Sequence, residues 1–416
     1  MTSVTTRLPV PPTPTARRGV SHEPGFWIAS ASFLVVMAFS TVPTPLWSLF
    51  QQRDGFSTFS ITIAFAAYAV GVVVSLFLVG HLGDTLGRRR ILLPAVGLEI
   101  ASAVIFVVWP GLAGLITARV VCGLGVGMLT ATITAHILEL HLRSRPGADP
   151  VRGQVVSGAV NLGGFGVGAL VSGVLAQWVG GPLVTPFVVF LALLVLSFVG
   201  LALVPETASR PEVRPQYRPQ RVRVPHDSRA QFFLAGGAAF VAFAVVGLFT
   251  ALAPVFVSGQ LHITSRATAG AVVFVTFAAA ALAQIGVRPL TVRAQVALGT
   301  ALLVLGIASL AVVVVTVGGL GYFFLGGVVS GAGAGTLFKA SLAVAGSLAE
   351  AASRGEVLAG IFLFGYVGLT VPVVGIGVAT LSVSLATAFL GFAVCIITLA
   401  LLTCVPLLAG LRRTSA

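Results

Sequence analysis

Charge is scarce in this sequence. Of 416 residues, 8% are charged and only 11 are acidic, against 57% hydrophobic. Soluble domains carry about 25% charged residues, because their surface must face water. So little charge, with a mean hydropathy of +1.06, excludes a water-soluble globular domain and requires lipid as solvent. Cysteine is scarce too. Cys122, Cys395 and Cys404 all lie in apolar stretches without CxxC spacing, which points to small buried residues and to neither a metal site nor a disulfide framework. The first 25 residues lack a signal-peptide core and are rich in proline, threonine and arginine. A disordered cytoplasmic tail is expected there. No paired carboxylates, metal-ligand cluster or activated nucleophile occupies a plausible site, so an enzyme is not expected, and neither a cofactor nor a metal is called for.

What the chain does have is arginine, and a net charge of +13. Nucleic-acid binding would need a basic helix or an aromatic-basic groove; here the arginines fall instead in short gaps between apolar runs. A transmembrane helix needs roughly 20 apolar residues. That ruler finds twelve segments, at 26–50, 59–82, 91–108, 111–139, 153–179, 183–204, 231–257, 267–288, 294–316, 318–349, 354–380 and 384–410. The runs are unbroken, which favours helices over barrel strands that would alternate. Twenty basic residues lie on the side shared by both termini, and two, Arg53 and Arg266, lie on the other. By the positive-inside rule both termini are cytoplasmic. The stretch 205–229, with five prolines and six arginines around three acids, reads as a solvated cytoplasmic linker. The expected organisation is a tail at 1–25, six-helix bundles at 26–204 and 230–416, and the linker between them.

The two halves resemble each other. VVCGLGVGML at 120–129 aligns with VVSGAGAGTL at 328–337, and 152–173 aligns with 354–375 at eight identities in 22 positions. Both alignments place the fourth and fifth segments on the tenth and eleventh. Parallel six-helix repeats of this kind are a transporter design, with the substrate site between them near the midplane.

Between the second and third segments lies Gly80-His81-Leu82-Gly83-Asp84-Thr85-Leu86-Gly87-Arg88-Arg89-Arg90. It resembles the major facilitator superfamily signature GxxxD(R/K)xGR(R/K), with Thr85 at the usual basic position. The resemblance implies an all-α membrane fold of twelve helices in two pseudo-symmetric halves. It also implies that Asp84 caps the eleventh helix and latches the outward-open state, with Gly80, Gly87 and Arg88 shaping the loop. The fourth segment carries Arg119-Val120-Val121-Cys122-Gly123-Leu124-Gly125-Val126-Gly127, similar to the family's RxxxGxGxG. Glu139 with Arg152 resembles its inner-gate charge network, which also involves Arg88. Gly164, Gly168 and Gly173 resemble a degenerate form of the fifth-helix element of bacterial drug:proton antiporters. Proton-coupled efflux of small organic compounds or drugs is therefore implied, by a monomer in the bacterial cytoplasmic membrane. Its partners would be a small-molecule substrate, protons and the lipid bilayer, with no nucleic acid. Sugar porters would carry extended motifs after the sixth and twelfth helices. Val204-Pro205-Glu206-Thr207 ends the sixth, and nothing comparable closes the chain. The alternative is uptake of a small anionic or neutral metabolite by symport or uniport, favoured by Arg119 and Lys339.

Charges inside spans are costly and should be paired. Glu99 lies ten residues before Trp109, and Arg119 eight after Gly111, so both sit roughly 12–15 Å below the turn between them. At that shared depth they are expected to pair, directly or through water, with Glu99 carrying the coupling proton and Arg119 setting its affinity. Lys339, the only lysine, could bind an anionic group or snorkel toward headgroups. The substrate cavity should form on helices 1, 2, 4, 5, 7, 8, 10 and 11, with Trp47, Tyr68, Asn161, Gln284, Lys339 and Tyr366 as candidates.

Overall fold

Lipid offers no partner to backbone groups, so each apolar run must close its own hydrogen bonds as a helix. The computed structural model describes residues 20–80, 82–208, 219–220, 222, 228–316, 319–349 and 354–413, and among these there is no strand. Twelve helices are long and apolar enough to cross a membrane. They are α1 (His22–Asp54), α2 (Thr58–Leu78), α3 (Arg88–Val108), α4 (Leu112–Ser144), α5 (Val151–Trp178), α6 (Thr185–Leu203), α7 (Arg229–Ala251), α8 (Arg266–Gly286), α9 (Val292–Thr316), α10 (Leu320–Ser347), α11 (Arg354–Ala379) and α12 (Leu385–Arg413). The chain is an all-α integral membrane protein.

Two of these helices are interrupted. In α1 a regular helix ends at Thr41, passes through a 3-10 turn at Thr44–Leu46 and resumes at Trp47. Pro43 and Pro45 supply the reason, since neither has an N–H to continue the ladder. In α7 the helix ends at Ala251, and a separate turn at Ala253–Gly259 follows with Pro254 near its start. The loop expected between α2 and α3 contains a short helix, Gly83–Leu86. Gly87, at φ +103°, then redirects the chain into α3, a conformation that favours glycine.

Close approach between helices follows the glycines, because a missing Cβ lets backbone meet backbone. A side chain at Gly71 on α2 would collide with Val120 O on α4, and one at Gly123 on α4 with Tyr68 O on α2. The second half repeats the contact, with Gly331 and Gly335 of α10 against Thr276 O and Ala280 O of α8. Gly168 of α5 lies on Ala38 of α1, and Gly368 of α11 lies on Phe240 of α7. The glycine-rich repeat is thus a repeated packing scheme. Buried apolar side chains gather in two large clusters. One draws on residues 26–204 with Val255, the other on residues 232–407 with Phe65 and Ala69.

The halves, α1–α6 and α7–α12, meet along two seams, α5 with α8 and α2 with α11. Contact is tightest on the side away from the 205–229 linker. There Arg266 donates its backbone N–H to Gln177 Oε1 at 2.9 Å and its Nη1 to Ala176 O at 2.9 Å. Gly377 of α11 abuts Thr62 of α2, and Ala253–Gly259 touches the outer part of α1. Among the described residues no comparable contact joins α4 and α5 to α10 and α11. The molecule is closed on the far side.

Candidate functional site

A cavity of about 100 Å³ lies between the halves, several times the roughly 10–15 Å³ that one water requires. Its walls come from α1, α2, α4, α5, α7, α8, α10 and α11, and from none of α3, α6, α9 and α12. Tyr68, Asn161, Gln284 and Tyr366 line it. Trp47 and Lys339 do not. Trp47 is buried higher in α1 beside Phe50, ring centroids 6.1 Å apart. The Lys339 ammonium donates to Gln284 O at 2.5 Å, which ties α10 to α8 behind the wall. Phenylalanine makes up much of the rest, with Phe65 and Phe165 from the first half and Phe243, Phe277, Phe338 and Phe362 from the second. The sequence reading passed over these six, because phenylalanine in an apolar helix gives no hint of whether it faces lipid, core or cavity.

Arg119 is the one charged side chain among the lining residues. It is 2% exposed, and its guanidinium stands 4.4 Å from the centroid of the Tyr68 ring and 5.7 Å from that of Phe65. Nη1 donates to Ser40 O at 2.6 Å. That carbonyl is in the last turn of the first part of α1, just ahead of the prolines, where carbonyls lose their helical donors. Arg119 Nε and the Tyr68 hydroxyl are buried without a hydrogen-bond partner.

Glu99 is fully buried, and neither carboxyl oxygen makes a well-formed hydrogen bond, although the Cys122 thiol and the Val126 backbone N–H stand close enough to act on it. Of the pairing expected with Arg119, direct or through water, the direct form is not present. The two side chains are near enough to interact electrostatically, but they occupy different faces of α4. Glu99 fills the notch left by Gly125, where an added Cβ would meet its carboxyl group. Arg119 is six residues earlier, roughly 600° of helical rotation away, and looks into the cavity. Shared depth brings the two side chains near each other, and the faces they take, which depth alone leaves open, keep them from direct contact.

On the linker side α4 runs 33 residues, about 50 Å at 1.5 Å per residue. It therefore outreaches the roughly 30 Å hydrocarbon layer and carries His136, Glu139 and Arg143 to that end. Arg88 Nη2 bonds Glu139 Oε1 at 2.8 Å, with Nε 3.3 Å from Oε2. The Thr207 hydroxyl donates to Glu139 Oε2 at 2.5 Å and lies 2.7 Å from His136 Nδ1. A threonine hydroxyl has one proton to give, so His136 must donate from Nδ1. Arg143 donates to Thr207 O.

Glu206 completes this cluster. It accepts the backbone N–H groups of Arg88 (2.9 Å), Arg89 (3.1 Å), Thr207 (3.0 Å) and Ala208 (3.0 Å). Burial pushes its carboxyl up, but the Ala208, Arg88 and Arg89 amides outweigh this and hold it below the usual glutamate range. Gly87 makes room, since a Cβ there would sit 2.9 Å from Glu206 Oε2. Arg152, expected in the gate, stands apart over the Trp27 ring at 5.9 Å. Arg88, expected in the same network, reaches Glu139 with two nitrogens. The Asp84 side chain lies outside the described residues, as do residues 350–353 before α11, so the expected cap between them does too. Gly80 closes α2, its N–H 3.1 Å from Leu76 O. Among the described residues every member of the cluster belongs to the first half, and the cluster joins α3 and α4 to the end of α6. Glu206 was legible as a carboxylate just beyond a helix and near an arginine-rich turn, but the sequence reading used it only as a motif fragment.

The sequence model of the Major Facilitator Superfamily matches residues 28–320. An uncharacterised MFS-type transporter of Mycobacterium tuberculosis is 30% identical over 162 residues, 38% of this chain and 27% of that protein. The arabinose-proton symporter of Bacillus subtilis is 34% identical over 83 residues, 20% of this chain and 18% of that protein. The matches therefore span less than a third of the length of these relatives. Among solved structures, a POT family transporter in complex with 5-aminolevulinic acid superposes with a TM-score of 0.71 at 12% identity, covering 92% of this chain and 94% of that one. A variant of the nucleoside transporter NupG also gives 0.71 at 12% identity, over 93% and 99%. At such identity the likeness concerns the fold alone.

Proposed function

Since the chain belongs to the major facilitator superfamily, whose members are transporters and not enzymes, we propose that it is a secondary transporter working by alternating access. The halves rock about the central cavity and expose it to one face of the membrane and then the other. The 20-to-2 arginine bias supports placing both termini and the linker in the cytoplasm. The far-side closure described above is then an outer closure.

One observation carries the coupling scheme. Arg119 is the one cation among the lining residues, and directly behind α4 sits Glu99, a buried carboxyl with no ion-pair partner among the described residues. A bare charge in such surroundings is expensive, so Glu99 holds a proton while Arg119 is engaged elsewhere. A solute bound to Arg119 keeps it engaged. When the solute leaves, Arg119 is free to turn toward Glu99, which then releases its proton. Solute and proton travel together, and the reaction is symport, driven inward by a proton gradient.

Expulsion of apolar compounds in exchange for protons is the second reading, favoured by the six phenylalanines of the wall. Exchange of a cationic compound for protons needs a carboxylate for which the two compete, and none lines the cavity among the described residues. The α5 glycines that resemble an antiporter element have packing duties, with Gly164 against Met37, Gly168 against Ala38 and Gly173 against Arg266 O.

Proteoliposomes separate the two. A panel of labelled organic acids, sugars, lipophilic amines and dyes is tested with the interior alkaline or acidic. Symport accumulates solute only with an alkaline interior, and exchange only with an acidic one. Glu99→Gln should abolish gradient-driven accumulation and leave counterflow intact. Undiminished accumulation by Glu99→Gln would place the proton elsewhere.

A further inference from the structure

We infer that the solute is an organic monocarboxylate on a flat apolar body, an aromatic acid, with its carboxylate on Arg119 and its ring among the aromatic side chains of the second half. This rests on reading the cavity as the transport site, and it adds the chemical class of what binds there.

Arg119 has one hydrogen bond, from Nη1 to Ser40 O, and the Tyr68 ring beneath it. These contacts fix the guanidinium plane while leaving Nε without a partner in a buried position. An arginine so held presents a fork of parallel N–H groups, the geometry that matches a carboxylate. The Tyr68 hydroxyl, also buried and unpartnered, is a neutral donor on the same wall. Unsatisfied buried donors are costly, and an acceptor on the ligand relieves both. A single cation among apolar walls balances one negative charge. A phosphate ester would bring more charge than the wall neutralises, and an amine would meet Arg119 with nothing to offset it.

Opposite, the second half contributes linked aromatic rings. Phe243 meets Phe338 edge to face at 4.8 Å and Tyr366 at 5.7 Å, and Phe338 meets Phe362 at 5.7 Å. Such edge-to-face arrays favour insertion of another ring. The amides of Asn161 and Gln284, half-buried in the wall, can orient polar substituents on the body. The anion is therefore gripped by one half and its body by the other, as a solute must be if binding is to draw the halves together.

The test uses purified full-length protein in detergent, with binding followed by isothermal titration calorimetry. The probes are benzoate, phenylacetate and salicylate, their amides, benzylamine and acetate. The carboxylates should bind at least about tenfold more tightly than their amides, and benzoate more tightly than acetate. Arg119→Gln should bring benzoate down to the affinity of benzamide, with Arg119→Lys restoring part of the loss. If Arg119→Gln fails to fold, Tyr68→Phe serves instead, and a loss of severalfold confined to the carboxylates is expected. The inference is overturned if no carboxylate outbinds its amide, if benzylamine binds as well as benzoate, or if neither variant changes benzoate affinity. Equal binding of acetate and benzoate removes the aromatic body from it. Transport is scored separately. Aromatic acids that bind without accumulating under either gradient would sink the symport reading and spare this one. Accumulation of some other solute that benzoate neither binds beside nor inhibits would do the reverse.

Discussion

Glu206 caps a helix it does not belong to. Its Oε1 accepts the N–H of Arg88, first residue of α3, at 2.9 Å, although 118 positions separate the two. The first N–H groups of a helix lack intrahelical acceptors, and an anion placed there also meets the positive end of the helix dipole. Gly87, the residue before α3, has no side chain to do this itself. The third transmembrane helix thus depends for its start on the residue pair that follows the sixth.

Replacing Glu206 by Gln should lower stability by about 1 kcal/mol, the usual worth of such a cap, measured by thermal unfolding in detergent. The effect carries a pH signature. Because the folded carboxyl lies below its ordinary value, the contribution is fully present above the pKa of an unfolded glutamate, about 4.3. It is lost as the pH falls below that through the folded value. The gap between wild type and Glu206→Gln should therefore close on acidification. A gap that persists undiminished at pH 3 would show that charge is not its source.

Arg88 and Glu139 should behave as one unit. A double-mutant cycle with Arg88→Gln and Glu139→Gln is expected to return a coupling of about 0.5–3 kcal/mol in denaturant unfolding. Arg152→Gln, at a position whose guanidinium stands over the Trp27 ring, should stay within about 0.5 kcal/mol of wild type. Equal and additive effects at all three positions would contradict the geometry.

The α5–α8 seam should tolerate nothing larger than glycine at position 270, where a Cβ would meet Ala169 O. Gly270→Leu should hold the halves apart on the far side. Spin labels at Trp178 and Thr264 would report a longer distance than in wild type. Gly97→Leu is the control, since nothing lies within 4 Å of a Cβ there. An unchanged distance in Gly270→Leu would mean that the seam yields elsewhere.

Orientation is open to direct labelling. In a cysteine-free background, a single cysteine at Ala148 should react with impermeant maleimide only after the membrane is breached. One at Thr264 should react in intact cells. The opposite pattern would invert the sidedness inferred from arginine.

Much of this architecture was legible because lipid simplifies the problem. Hydropathy alone locates twelve spans, and the glycine repeat pairs α4 with α10 and α5 with α11. The eight helices named as central are those that line the cavity. What remained hidden was azimuth. In a soluble helix the polar face betrays its orientation; these helices are apolar almost all round, so nothing told Glu99 to face Gly125 or Arg119 to face Ser40. Long-range polar contacts were hidden for a related reason. Thr207 and Glu206 are ordinary residues until the fold brings them to His136, Glu139 and Arg88. Arg152 shows the converse: of the two arginines the resemblance set beside Glu139, Arg88 bonds it while Arg152 stands over Trp27.

Because the described members of the cluster around Glu206 all come from the first half, the chain should be severable. A break within 209–218 would leave Glu206 and Thr207 hydrogen-bonded to α3 and α4. The two six-helix pieces, co-expressed, would find each other through their seams and through the Gln220 N–H on Phe77 O. A gene split at this point becomes a practical tool, in which each half is labelled, mutated or titrated on its own and then reunited.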